Sequence, residues 1–210
     1  MKILNLYAGI GGNRKLWGDE HNITAVEIRE DIAAVYKSIY RQDILIVGDA
    51  HKYLKEHFSE FDFIWASPPC QTHGSFRQNI CVNLRGTQPE YPDMKLYQEI
   101  IFLKHNFNGN WVVENVKPYY DFLIYPDFSI QRHCYWSNVK VPKIDIDNEN
   151  LREVQIPELQ KIHGINLDKY KVENKRQVLR NCVSPEIGKY ILDYIMGCSK
   201  LDSKQLTMFE

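Results

Sequence analysis

The sequence predicts an α/β protein with a mostly parallel sheet and helices on both faces. Three observations point there. Up to about residue 125, short apolar runs alternate with segments of helical spacing. Several of the runs end in glycine, an acid or proline, which punctuate strand-to-helix turns. A chain of 210 residues, 44% hydrophobic and 25% charged, can bury one sizeable core and reads as one domain.

Lys2–Tyr7 (KILNLY) is an apolar run that feeds the glycine turn AGIGG, the pattern of a buried strand, and Asn13–Trp17 follows as a short helix. Ile23–Ile28 (ITAVEI) is β-branched and reads as a second strand, and Asp31–Tyr40 as a helix with an acid in its first turn. Ile44–Val47 is a third strand, Tyr53–Phe58 a helix, and Phe61–Ala66 a fourth strand. Residues 71–92 read as a long polar loop, the kind that carries function or moves. Pro92–Phe107 has the strongest helical pattern in the chain, and Trp111–Val116 (WVVENV) is a fifth strand. Beyond about residue 125 the alternation fades, residues 143–175 are polar and charged, and Pro185–Met196 returns to amphipathic helical spacing.

Composition removes several function classes. A net charge of -1 and a pI near 6.7 give no bulk signal for nucleic-acid binding, so such binding needs a local patch. Cysteines 70, 81, 134, 182 and 198 form no CxxC pair and no ligand spacing, so no metal is expected. The first residues run into a glycine loop rather than a cleavage site, and no apolar run approaches the ~18–20 residues of a membrane span. The expectation is a soluble protein with free thiols in a reducing compartment.

The stretch FDFIWASPPCQTHGSF brings a thiol, Cys70, to the end of a buried strand behind two prolines. In an α/β sheet that is where ligands bind. A buried structural thiol is the plain reading, and a nucleophile the alternative. Glu114 lies within an otherwise apolar strand, where desolvation raises a carboxyl pKa and suits it to proton donation; a satisfied structural carboxylate is its plain reading. Gly9, Gly11 and Gly12 permit close backbone approach to a ligand, although the turn lacks the GxGxxG spacing. Glu27 ends the second strand, where a carboxylate can take two ribose hydroxyls, and Asp49 ends the third, facing where an adenine amino group would lie. Together they outline a nucleoside crevice beside a thiol and an acid.

This ordered set, YAGIGG, Glu27, Asp49, SPPCQ and ENV, resembles the C5-cytosine DNA methyltransferases, most closely the short phage- or prophage-type members. RNCVSPEIG (Arg180–Gly188) is similar to the family's late NAVPP-type segment, and IQRHCYWSN (Ile130–Asn138) to its arginine motif. The resemblance implies a class I, Rossmann-like fold using S-adenosylmethionine, with double-stranded DNA as substrate and the cytoplasm of a bacterial or phage-infected cell as location. It implies Cys70 as nucleophile on cytosine C6, Glu114 as proton donor to N3, and Arg132 holding the base or an adjacent phosphate. It implies cofactor contacts at Tyr7, Ala8, Gly9, Gly11, Gly12, Glu27, Ile28, Asp49, Ala50, Pro68 and Asn181. Gln71, Arg77, Arg85, Lys171, Lys175 and Arg176 are its expected DNA contacts. The implied organisation is a catalytic domain over 1–138, a small target-recognition region over 139–175, a return segment over 176–198, and a flexible tail over 199–210.

The chain departs from the family in places. Asn5 stands where many members have aspartate, and Cys134 where many have a second arginine. The recognition region is short. Lys161, His163, Lys169, Lys171, Lys175, Arg176 and Arg180 concentrate within it and just after, either as phosphate contacts or as a solvated face. Gln205–Phe209 (QLTMF) resembles the peptide by which bacterial proteins dock on the replicative sliding clamp; packing of the tail on the domain is the other reading. A tRNA-methylating relative, a catalytically idle DNA- or clamp-binding module, and a plain nucleoside-binding Rossmann-like protein without transfer activity are the rival functions.

Overall fold

The computed structural model describes residues 1–142, 144 and 154–205, the side chains of 198–205 excepted. Leu206–Phe209 of the QLTMF segment lie outside the described residues. The strands are β1 (Lys2–Leu6), β2 (Asn22–Glu27), β3 (Ile44–Val47), β4 (Phe63–Ala66), β5 (Asn110–Val116), β6 (Phe128–Ile130) and β7 (His133–Ser137). The helices are α1 (Glu30–Ile39), α2 (Ala50–His57), α3 (Lys95–Asn106), α4 (Ile156–His163), α5 (Lys175–Arg180) and α6 (Pro185–Gln205).

Among the described residues the sheet has seven strands in the order β3-β2-β1-β4-β5-β7-β6. The first five in that order are parallel, and β7 runs antiparallel to both of its neighbours. The predicted fold class is therefore present: an α/β Rossmann-like sheet of the S-adenosylmethionine methyltransferase type. Period-two alternation splits each central strand between two cores. Leu4, Leu6, Ile64, Ala66 and Val113 meet α2 and α3 on one face. Ile3, Phe63, Trp65 and Val112 meet α6 on the other.

Local chemistry sets the element ends. Asp49 caps α2, its carboxylate accepting from the His51 and Lys52 backbone N–H groups. Gly164 closes α4 with a left-handed backbone at φ 60°, its N–H returning to the last carbonyls of the helix. The short helix expected at Asn13–Trp17 is one 3₁₀ turn over Asn13–Leu16, and the 71–92 loop contains a π-helical turn over Arg77–Val82. Helix α6 continues past its expected end at Met196 and takes in the first part of the tail expected to be flexible.

The largest difference lies beyond residue 125, where β6 and β7 pair as a hairpin and complete the sheet. No helix intervenes between β5 and β6. Tyr120, Phe122 and Ile124 from an irregular segment cover Trp136 instead, and the Trp136 indole N–H donates to the Ile124 carbonyl.

The described residues from 154 onward form a packed layer. Leu159, Ile165, Leu167, Val172 and Leu179 pack against Ile32 and Val35 of α1. His163 is buried there and adds nothing to a basic surface.

Helix α6 crosses the turn after β1 at closest approach at Gly188. A Cβ there would lie 2.4 Å from the Asn13 carbonyl oxygen, whereas one at Gly197 meets nothing within 4 Å. Gly188→Ala is expected to cost about 1–3 kcal/mol by overpacking. Gly197→Ala should be neutral or stabilising by up to about 1 kcal/mol through helix propensity. Thermal unfolding of the two variants checks the contrast, and equal melting temperatures would contradict it.

Candidate active site

The parallel strands diverge between β1 and β4, where successive connections leave toward opposite edges of the sheet. A cavity of about 290 Å³ opens there at the carboxyl ends of β1, β2, β4 and β5. Its walls include Tyr7, Ala8, Gly9, Gly12, Glu27 and Ile28 on one side. Pro68, Cys70, Gln71, Glu114 and Arg132 line the other, with Asn181 from the return segment. Residues widely separated in sequence thus meet in one pocket.

The glycine-turn side is built on backbone donors. Glu27 Oε2 accepts from the Gly9 N–H at 2.9 Å and its Oε1 from the Arg29 N–H at 2.9 Å, which fixes the carboxylate at the mouth of the glycine turn. Gly9 holds φ +56°, a conformation that disfavours a side chain. A Cβ on Gly12 would lie 2.2 Å from the Cys182 sulfur, so the turn sits directly on the return segment. Ile28 is largely exposed and offers an apolar flank. Tyr7 has positive φ and donates its hydroxyl to buried Glu99, which also meets His51 Nδ1 at 3.2 Å. Burial raises the Glu99 carboxyl pKa, and Glu99 in turn raises that of His51. Asn5, in the family's aspartate position, exchanges side-chain amide hydrogen bonds with Asn13.

The thiol side is held by β5. Asn115 Nδ2 donates to the Pro68 carbonyl at 2.9 Å, tying the SPPC turn to the strand that carries Glu114. The His73 and Gly74 N–H groups both donate to the Cys70 carbonyl, closing the loop immediately after the thiol. His73 is buried, accepting or donating at Nδ1 with the Tyr120 hydroxyl and contacting the Asp93 carbonyl at 3.0 Å. Burial pushes the Cys70 thiol up to about 11, the Glu114 charge adding to this and the Arg132 guanidinium opposing it. Burial pushes Glu114 up to about 7, against a Ser67 hydrogen bond and the Arg132 charge. Arg132 sits at the tip of the β6–β7 hairpin and donates to the Arg180 carbonyl.

Several expected residues lie elsewhere. Gly11, Asp49 and Ala50 are not among the cavity walls. Gly11 packs against Tyr40, and Asp49 spends one oxygen on its helix cap while the other faces Lys95 Nζ at 3.7 Å. Arg77 pairs with Glu90, and Lys175 Nζ reaches the Asp168 carbonyl at 3.4 Å. Arg85 and Lys171 are exposed, and Arg176 lies on α5; none of these lines the cavity. Cys134, at the family's second arginine position, is not among the cavity walls. In the antiparallel register Glu114 pairs with Tyr135, and Val116 with His133, so those two side chains share the Glu114 face. Cys134 points into the opposite core beside Trp136 and cannot stand in for an arginine at the site. Sequence reasoning missed His133, Asn115, Gln177 and Cys182. Reading HCYWS as a strand would have found His133 by parity alone.

Glu114 yields a stability test. A carboxyl raised to about 7 stabilises the fold while it keeps its proton, below the ordinary carboxyl range near ~4.3, and that contribution is lost as pH rises through about 7. Glu114→Gln carries no ionisable proton. Its stability relative to the wild type is expected to increase from pH 5 to pH 8 by roughly 2 kcal/mol. Denaturant unfolding at the two pH values measures it, and a pH-independent difference would count against a buried, proton-holding Glu114.

The sequence profile described as C-5 cytosine-specific DNA methylase matches residues 1–118. No significant match is found among curated proteins. Among solved structures, the methyltransferase EhMeth of Entamoeba histolytica superposes with a TM-score of 0.53 at 13% identity, covering 93% of this chain and 97% of that one. A mutant of DNMT2 from Spodoptera frugiperda is 28% identical over 55% of this chain and 35% of its own, with a TM-score of 0.38. A methyltransferase from Agrobacterium tumefaciens gives 18% identity and a TM-score of 0.41 over 58% of this chain and 40% of its own. With more than half its length matched by the profile, and with the site and fold described above, the chain belongs to the C-5 cytosine-specific DNA methylase family.

Proposed function

We propose that this chain transfers a methyl group from S-adenosylmethionine to C5 of a cytosine in double-stranded DNA. The observation that carries the reading is the convergence of Cys70, Glu114 and Arg132 with Glu27 and the glycine turn in one cavity at the sheet's switch point. The cavity suits the cofactor: a fixed carboxylate for ribose hydroxyls, an apolar flank at Ile28, and Asn181 across from them. When bound, S-adenosylmethionine supplies an electrophilic methyl group.

Cytosine C5 is a weak nucleophile. Addition of the Cys70 thiolate to C6 makes the ring an enamine that is nucleophilic at C5. Glu114 gives its proton to N3 as charge develops there, and Arg132 holds the base or a neighbouring phosphate. After methylation the C5 proton leaves to solvent, the thiolate is eliminated, and the N3 proton returns to Glu114. The chemistry requires the base out of the duplex stack. Gln71, Arg77, Arg85, Lys171, Lys175 and Arg176 are proposed to contact DNA, Arg77 after release from Glu90.

The acid and the thiol titrate in reverse order. Between about pH 7 and about pH 11 the dominant pair is carboxylate plus thiol. The reactive pair, carboxylic acid plus thiolate, holds the same number of protons, so its fraction is constant across that window. The kcat/KM for methyl transfer is expected to rise through about pH 7 and then stay level toward pH 11. A fall through pH 7 would contradict this order of titration.

The defining experiment supplies methyl-labelled S-adenosylmethionine with mixed-sequence duplex DNA or with total tRNA. Label is expected in DNA as 5-methylcytosine, absent in Cys70→Ser and lowered about 10²–10⁴-fold in Glu114→Gln. Label in tRNA alone moves the protein to the RNA-methylating branch, and label in neither ends the reading. The QLTMF tail is proposed to dock on a sliding clamp. Deleting residues 204–210 should abolish clamp capture and leave methylation of short oligonucleotides intact.

A further inference from the structure

His133 has no part in the chemistry above, yet it lines the same cavity. Its side chain is 8% exposed, and Nε2 lies 3.6 Å from Glu114 Oε1. Its Nδ1 is buried with no hydrogen-bond partner among the described residues. The β5–β7 register puts it on the Glu114 face, two residues before Tyr135, whose buried hydroxyl is also unpartnered there. A 3.6 Å contact is longer than a formed hydrogen bond, but such contacts tighten when substrate fills an active site.

Building on the methyl-transfer reading, we propose that His133 is a positioning residue: its neutral imidazole turns Nε2–H toward Glu114 Oε1 and leaves the other carboxyl oxygen aimed at cytosine N3. Burial and the adjacent Arg132 charge push the imidazole down to about 3, so it is neutral throughout the working range. A neutral donor steadies the Glu114 carboxylate without adding a buried positive charge. Ser67 from the end of β4, Cys70 from the loop after it, Arg132 from the hairpin and the Tyr135 hydroxyl are the other polar groups acting on Glu114. From α6, Ile187 and Ile191 bring only apolar surface to this side of the sheet.

Removing a donor to a carboxylate raises its pKa. In His133→Ala the rise of kcat/KM near pH 7 should move up by about one pH unit. His133→Gln places an amide N–H where Nε2–H stood and should return the limb to its wild-type position. A role confined to packing would lower activity or cofactor binding and leave the limb in place. Cofactor affinity, measured calorimetrically, reports that each variant is folded.

The wild-type protein supplies a measurement independent of any variant. Nitrogen-15 NMR of labelled histidine should show His133 neutral from pH 5 to 9 with the proton on Nε2. A proton on Nδ1, a limb unmoved in His133→Ala, or a shift as large in His133→Gln overturns the proposal. If the wild-type enzyme transfers no methyl group, the methyl-transfer reading fails by itself, and the tautomer still decides whether Nε2–H faces Glu114.

Discussion

The organisation of this protein depends on one topological constraint: β1 and β4 are neighbours whose connections depart toward opposite edges of the sheet. Parallel strands need crossovers, and crossovers that part leave a crevice no helix can fill. The glycine turn, Glu27, the SPPC turn and Glu114 belong to different elements, and each lies at a strand's carboxyl end. The crevice gathers them without any of them being near another in sequence. The hydrogen bond from Asn115 to the Pro68 carbonyl then joins the two strands that carry the thiol and the acid.

Within that crevice, burial sets the chemistry. Loss of solvent acts on the Cys70 thiol and the Glu114 carboxyl in the same direction, because each is charged when deprotonated. Arg132 opposes both shifts from the hairpin tip. Both shifts favour the protonated form of each group in the free site.

Much of this was legible in the sequence. Ile44–Val47 reads as a strand and is β3, and WVVENV falls within β5, because apolar β-branched runs bounded by turn residues leave little choice. Cys70, Glu114, Arg132, Glu27 and Asn181 were named from sequence and line one cavity. What stayed hidden has physical causes. Strand β6 is three residues long, too short for a periodic signal, and β7 is buried along its whole length, which erases the alternation that marks a half-exposed strand. Without a recognised strand, parity was unavailable, and His133 was not singled out. The charged segment before α5 was read either as phosphate contacts or as a solvated face, since its apolar residues are scattered. Folding collects Leu159, Leu167 and Leu179 into a single layer on α1.

The bond from Arg132 to the Arg180 carbonyl links two parts of the molecule with different duties. The guanidinium lines the cavity from the hairpin, and the carbonyl ends a helix whose Gln177, Val178 and following Asn181 line the same cavity. Arg132 stands on a two-residue turn, with Gln131 at φ 53°, and this bond helps to fix its direction. The hydrogen bond thus fastens the hairpin tip to the end of α5, two segments nearly fifty residues apart in the chain.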